Sequence, residues 1–148
     1  MQKTFSHQDV PVIAQEALAI FSRAHTAQSA TVVALSGELG AGKTTLTQAI
    51  ARELGISERL VSPTFVIMKL YPIATGQWKQ LVHIDAYRLN STEELLKLGW
   101  DALIADSANL ILIEWPEKVP EAIPQGSVRV NISHEGDDSR AIVCDVSV

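Results

Sequence analysis

Apolar residues recur along this chain in two rhythms, and the alternation between those rhythms predicts its architecture. Residues 11–24 (PVIAQEALAIFSRA) carry apolar side chains at the spacing of an amphipathic helix. Pro11 falls in its first turn, where a missing N–H does no harm, and Gln8 or Asp9 stands near its cap. Short apolar or β-branched runs of strand length lie at 31–35 (TVVAL), 65–71 (FVIMKLY), 81–85 (LVHID), 110–113 (LILI), 128–132 and 141–146. Between them, residues 44–54 (TTLTQAIAREL) set Leu46, Ile50 and Leu54 on one helical face. Residues 91–98 (STEELLKL) have the cap-and-acid pattern of a helix start, and 100–108 extend toward another short helix. The runs 65–71 and 81–85, joined by a turn at Thr75-Gly76, read as an antiparallel pair, and HEGDDS separates the last two strands. Helices interleaved with apolar strands predict a three-layer α/β fold with a mixed, partly parallel sheet, in one domain over residues 1–148.

The join between the first strand and the helix that follows carries the chemistry. Gly37, Glu38, Leu39, Gly40, Ala41, Gly42, Lys43, Thr44 and Thr45 spell GELGAGKTT, in which residues 37–44 fit G-x-x-x-x-G-K-[ST], the loop that wraps nucleotide phosphates. Gly37 is expected to let the chain leave the strand, and Gly40 and Gly42 to let successive backbone N–H groups converge on a phosphate. Lys43 carries positive charge to the β- and γ-phosphates. Thr44 offers a hydroxyl to Mg²⁺, and the helix beginning here turns the positive end of its dipole toward the same anion. A glycine-rich turn that merely holds a lysine is the plain alternative. The order strand, loop, helix argues against it and makes the fold P-loop NTPase-like.

Composition then narrows the setting. A chain of 148 residues buries roughly 68–70% of the surface its unfolded form exposes, enough for an independent core. Hydrophobic residues at 47% and charged ones at 20% are those of a globular protein with no disordered tail. No apolar run approaches a membrane-spanning length, and the start MQKTFSHQDV lacks the apolar stretch of a secretion signal, so a cytoplasmic location is expected. Cys144, the one cysteine, lies in an apolar run and is expected to be buried as a small hydrophobe. A net charge of −5 with scattered Lys and Arg excludes a broad basic grip on nucleic acid.

Hydrolysis or transfer of a phosphoryl group also needs carboxylates near the metal and a way to aim the nucleophile. Glu114 ends LILIE and Asp85 ends LVHID, so two apolar strands deliver acids at their C-terminal tips, where open α/β sheets bind ligands. Either acid could instead cap a turn. Two of them beside one phosphate loop favour Asp85, Glu114 and Lys43 as the catalytic set, with Thr44, Glu114 and Asp85 around the metal. His83 shares a strand face with Asp85, and Tyr87 joins them if the extension continues; for His83 a structural hydrogen bond is the ordinary role. Arg88 is open between an ion pair and contact with phosphate or another protein. Ser62-Pro63-Thr64 is either a proline-fixed turn or a loop sensing the γ-phosphate.

Taken in order, GELGAGKTT, SPTF, HIDAYRL, EEL and IEWPEK resemble the TsaE family, bacterial P-loop ATPases of tRNA threonylcarbamoyladenosine modification; the likeness runs from about residue 35 to 118. The phosphate loop is shared by many NTPases, whereas Ser62-Pro63-Thr64, HxDxYR and Glu114-Trp115-Pro116 together are close to diagnostic. The resemblance implies ATP and Mg²⁺ as cofactors, with Lys43 and Thr44 on phosphates and metal, Glu114 as an acidic Mg²⁺ ligand, and Asp85 ordering the attacking water or supporting the metal. It implies TsaD and TsaB as protein partners, tRNA reached only through their complex, no membrane, and a monomer when alone.

Among other classes, a GTPase lacks its D-x-x-G and [NT]-K-x-D motifs here, and a nucleotide-sensing module would be indifferent to Asp85 and Glu114. A small-molecule or nucleotide kinase is the enzyme alternative, but the arginines are scattered from Arg23 to Arg140 and little chain is left for a lid. No arginine follows the phosphate loop closely in sequence. Slow hydrolysis alone and stimulation by a partner complex are therefore expected.

Overall fold

The computed structural model describes residues 1–38, 40–63 and 65–146. Leu39 of the phosphate loop and Thr64 of the SPT bend lie outside the described residues. Seven strands form one sheet: β1 (Gln2–Ser6), β2 (Thr31–Gly37), β3 (Met68–Pro72), β4 (Gln80–Asp85), β5 (Asn109–Glu114), β6 (Val128–His134) and β7 (Ser139–Val146). Their order is β1-β7-β6-β2-β5-β4-β3. The central four, β6-β2-β5-β4, run parallel, and antiparallel strands close both edges. The mixed α/β sheet expected from the pattern is therefore present.

Parity along the strands splits the core into two layers of apolar contact. Val33, Leu35, Leu110 and Leu112 face one side, which is covered by α1 (Val10–Ala24) and α2 (Lys43–Glu53). Val32, Ala34, Ile111 and Ile113 face the other, covered by α3 (Thr92–Lys97), α4 (Trp100–Ile104) and short 3-10 turns after β5. On α1, Ile13, Ala14, Ala17, Ile20 and Phe21 are buried at the spacing that builds one helical stripe. Ala49 and Ala51 of α2 are buried, and Trp78 and Trp100 are both core residues. Each indole N–H finds a partner, Thr31 Oγ1 at 3.0 Å for Trp78 and the Ala122 carbonyl at 3.2 Å for Trp100.

Three elements differ from expectation for local reasons. The apolar run from 65 does not start a strand: the Ile67 amide donates to the Pro63 carbonyl at 2.6 Å, Ile67 takes φ 69°, and Phe65 stands 83% exposed. β3 begins only at Met68. The helix after Trp100 ends at Ile104, because Asp106 Oδ1 accepts the Ala108 amide at 2.9 Å and turns the chain into β5. β1 went unforeseen, since Phe5 is its sole buried side chain and the strand is held by its ladder with β7.

Cys144 is buried in β7 as expected, and burial pushes the pKa of its thiol up from the ordinary range to about 11. The thiol form is thus favoured by folding. Because the unfolded chain ionises first, this group withdraws stability as pH rises from about 9 toward 11 and contributes nothing further below that window. Iodoacetamide at pH 8 should leave Cys144 unmodified in the native protein and alkylate it in denaturant. Rapid native labelling would contradict its burial.

Candidate functional site

The phosphate-loop sequence leaves β2, which lies between β6 and β5 in the sheet, and enters α2. Gly37 is the last residue of β2, so the chain leaves the strand there, and it is also closely packed: a Cβ at this position would lie 2.6 Å from the Ile132 carbonyl oxygen of β6. Gly37→Ala should lower stability by about 1–3 kcal/mol, the usual range for forced overpacking, measured by denaturant melts. An unchanged midpoint would mean β6 yields freely. Gly40 and Gly42 take φ 78° and 105°, a left-handed region that side chains resist, and Gly42 is the residue from which α2 starts. The Ala41 amide closes a turn on the Glu38 carbonyl at 3.0 Å. Beyond it, the first amides of α2 have no partner within the helix and face its open end.

A cavity of about 310 Å³ opens at this end, lined by Gly40, Gly42, Lys43, Thr44 and Thr45 on one side. Ser62, Asp85, Glu114, Trp115 and Arg140 complete it. Asp85 and Glu114 are opposite one another in the parallel β4–β5 register, and both are about 95% buried. Residues 81, 83 and 85 share the sheet face covered by α2, as do 110, 112 and 114. The sheet therefore brings both acids, and His83, to the helix that carries Lys43 and Thr44. Gly37, Glu38 and Ala41 do not line this cavity.

Each side chain is held. His83 Nε2 meets Glu114 Oε2 at 2.6 Å, both groups being almost fully enclosed, so the histidine orients the carboxylate and leaves Oε1 for another partner. His83 has the structural hydrogen bond foreseen as its ordinary role. Its Nδ1 is buried with no partner among the described residues. Asp85 Oδ1 accepts the Tyr87 amide at 3.0 Å, and the Ala86 amide donates to the Glu114 carbonyl at 3.0 Å, tying the two strand tips together. The extension does not continue past Asp85: the chain turns, Tyr87 is exposed, and its ring meets Trp115 at 5.1 Å instead of joining His83. Arg88 is placed over the Phe65 ring, its Cζ 4.5 Å from the ring centre.

Lys43 Nζ donates to the Gly37 carbonyl and lies 4.2 Å from the centre of the Trp115 ring. Trp115 adopts φ 57°, an unfavourable left-handed conformation for such a residue, directly after Glu114. A threonine hydroxyl, two carboxylates and an ammonium suit a Mg²⁺–polyphosphate ligand. Among the described residues no group of three or more His, Cys, Asp or Glu could hold a metal unaided. Mg²⁺ is commonly bound in that way, by one or two carboxylates plus phosphate oxygens and water.

Sequence reasoning missed Arg140. It comes from β7, 99 residues from Ala41, yet its Nε donates to the Ala41 carbonyl at 3.1 Å and Nη1 to the Ser139 carbonyl at 3.3 Å. No local spacing signals such a contact. The expectation that no arginine accompanies the loop holds only along the sequence. Ser36 and Glu117 were missed likewise; the Ser36 hydroxyl donates to Glu117 Oε1 at 2.5 Å beside the strand tip.

The family model "Threonylcarbamoyl adenosine biosynthesis protein TsaE" matches residues 12–142. The chain belongs to the TsaE family. Among its relatives, the protein described as tRNA threonylcarbamoyladenosine biosynthesis protein TsaE of Streptomyces coelicolor is 41% identical over 79% of this chain and 78% of its own length. That of Haemophilus influenzae is 40% identical over 83% of this chain and 74% of its own. The crystal structure of Bacillus subtilis YdiB superposes with a TM-score of 0.70 at 32% identity, covering 100% of this chain and 86% of that one. The TsaE match extends well beyond residues 35–118, reaching α1 and β7 and so including both Arg140 and the helix packed beside the loop.

Proposed function

We propose that this TsaE-family protein binds ATP with Mg²⁺ in the cavity at the start of α2, hydrolyses it, and so serves tRNA threonylcarbamoyladenosine biosynthesis by acting on a TsaB–TsaD complex. The observation that supports this most is the meeting of Lys43, Thr44, Asp85 and Glu114 around one opening, although they come from three separate segments. Lys43 and the amides of α2 hold the phosphate chain, and Thr44 and Glu114 hold the cation. Bound Mg²⁺ supplies neutralisation of charge on the transferring phosphoryl group. Asp85 orients the attacking water or backs the metal, with its own position fixed by the Tyr87 amide. His83 keeps the Glu114 carboxylate aimed, and the dry surroundings of both acids strengthen every charge interaction in the site.

The reading also retains slow turnover in isolation. Arg140 is close to the loop, but its Nε and Nη1 point to main-chain carbonyls and brace the loop. An arginine delivered to the phosphoryl group from another protein is typically worth about 10³–10⁵ in rate. Purified chain should release phosphate from ATP slowly, and adding TsaB and TsaD should raise the rate by roughly that order or a substantial part of it. The complex should also form more readily with ATP than without. A fast rate untouched by both partners would contradict the proposal.

A further inference from the structure

The phosphate loop is touched by a cation that its own sequence does not supply. Arg140 belongs to the row of β7 that includes Ile142 and Cys144, both buried, and at the end of that row its guanidinium meets the loop. Nε donates to the Ala41 carbonyl at 3.1 Å and Nη1 to the Ser139 carbonyl at 3.3 Å, so both bonds go to main chain. We propose that Arg140 is a positioning residue of the phosphate site, an inference that rests on the reading of the loop as an ATP site. By holding the Ala41 carbonyl, it fixes the peptide between Ala41 and Gly42 in the orientation that offers the Gly42 N–H to an anion.

Peptide geometry gives that bond its effect. Across a trans peptide plane the C=O and the N–H point in opposite directions, so a carbonyl drawn toward Arg140 turns the Gly42 N–H away from it. The Gly42 N–H has no main-chain acceptor among the described residues, and Gly42 lines the cavity that also holds Lys43 and Thr44. The loop's own backbone does little to enforce this orientation. Gly42 takes φ 105°, and a glycine offers no Cβ to resist rotation of the peptide before it. A half-turn of that peptide would put a carbonyl oxygen where the N–H had been and change attraction for a phosphate into repulsion. The freedom that lets glycine shape the cradle is thus also its weakness, and a hydrogen bond from a charged donor is strong enough to choose between the two orientations. The brace is itself anchored, because Arg140 pairs with His134 of β6 on one side and Phe5 of β1 on the other. A Cβ built on Gly42 would lie 3.8 Å from Arg140 Nε, so the guanidinium packs against the very residue whose amide it directs.

Binding of ATP and of inorganic tripolyphosphate, each with Mg²⁺, to the full chain and to its Arg140→Ala and Arg140→Lys forms tests the inference, with thermal melts as the check on folding. Arg140→Ala should weaken both ligands alike, by about tenfold or more, because the loss lies in the phosphate cradle. Arg140→Lys keeps the charge but not the planar fork, so it should recover only part of that loss, and it carries the same readouts if the alanine form does not fold. The Gly42 amide signal in the magnetic resonance spectrum of isotope-labelled protein is a measure that lost stability alone would not move. Without ligand it should be a single sharp peak in the unmodified chain and a broadened or doubled one in Arg140→Ala, sharpening again when tripolyphosphate saturates the site. Full recovery by Arg140→Lys would place the residue on phosphate as a simple charge; unaltered binding, or an unaltered Gly42 signal, would show that the peptide needs no brace. Each of these overturns the positioning role and leaves the ATP reading standing. If the unmodified chain binds neither ligand, the ATP reading itself fails and this inference with it.

Discussion

Glu114→Gln should lower the rate of ATP hydrolysis on the order of 10²-fold or more while changing ATP affinity far less. The substitution keeps the side-chain shape and an oxygen for His83, so the buried contact at 2.6 Å can persist in neutral form. What disappears is the negative charge beside the cation, which matters most as charge shifts along the reacting phosphoryl group. Asp85→Asn should act in the same direction, because its neighbour in the β4–β5 register is Glu114 and both enclose the same opening. Steady-state phosphate release and equilibrium nucleotide binding, measured on the same preparations with matching thermal melts, separate the two effects. If binding falls as far as turnover in both variants, the acids hold the ground state and the assigned division of roles is wrong.

Lys43→Ala should show the reverse profile, with nucleotide binding the first casualty. A hydrogen bond to a charged group contributes about 1.5–3 kcal/mol, so the dissociation constant should rise by roughly one to two decades. The loss is moderated by an exchange: Lys43 already donates to the Gly37 carbonyl and rests against Trp115, and phosphate must replace those partners. Titration of ATP against both forms gives the ratio directly. A variant that binds ATP as tightly as the unmodified chain would remove the lysine from the phosphate site.

Local spacing made the phosphate loop legible, since a strand, two left-handed glycines and a helix start are all encoded within a dozen residues. Glu114 and Asp85 were legible for a similar reason: an apolar run ending in an acid places that acid at a strand tip. What escaped the sequence depends on pairs distant in the chain. Arg140 reaches Ala41 only because β7 lies beside β6 in the sheet, and Gly37 is constrained by a carbonyl 95 residues away. Tyr87 and the run from Phe65 misled because apolar or aromatic character was read as continued extension, whereas backbone bonds to Asp85 and Pro63 turn the chain there.

The pairing of Asp85 with Glu114 across two parallel strands, fastened by the Ala86 amide, has a mechanical meaning. Neither acid can advance or retreat alone; any tilt of that pair of strands carries both by the same amount, like teeth on one comb. Distance from the first turn of α2 is then the one coordinate that sets the grip on a cation, and a protein pressing on that edge of the sheet would tune both carboxylates in a single movement.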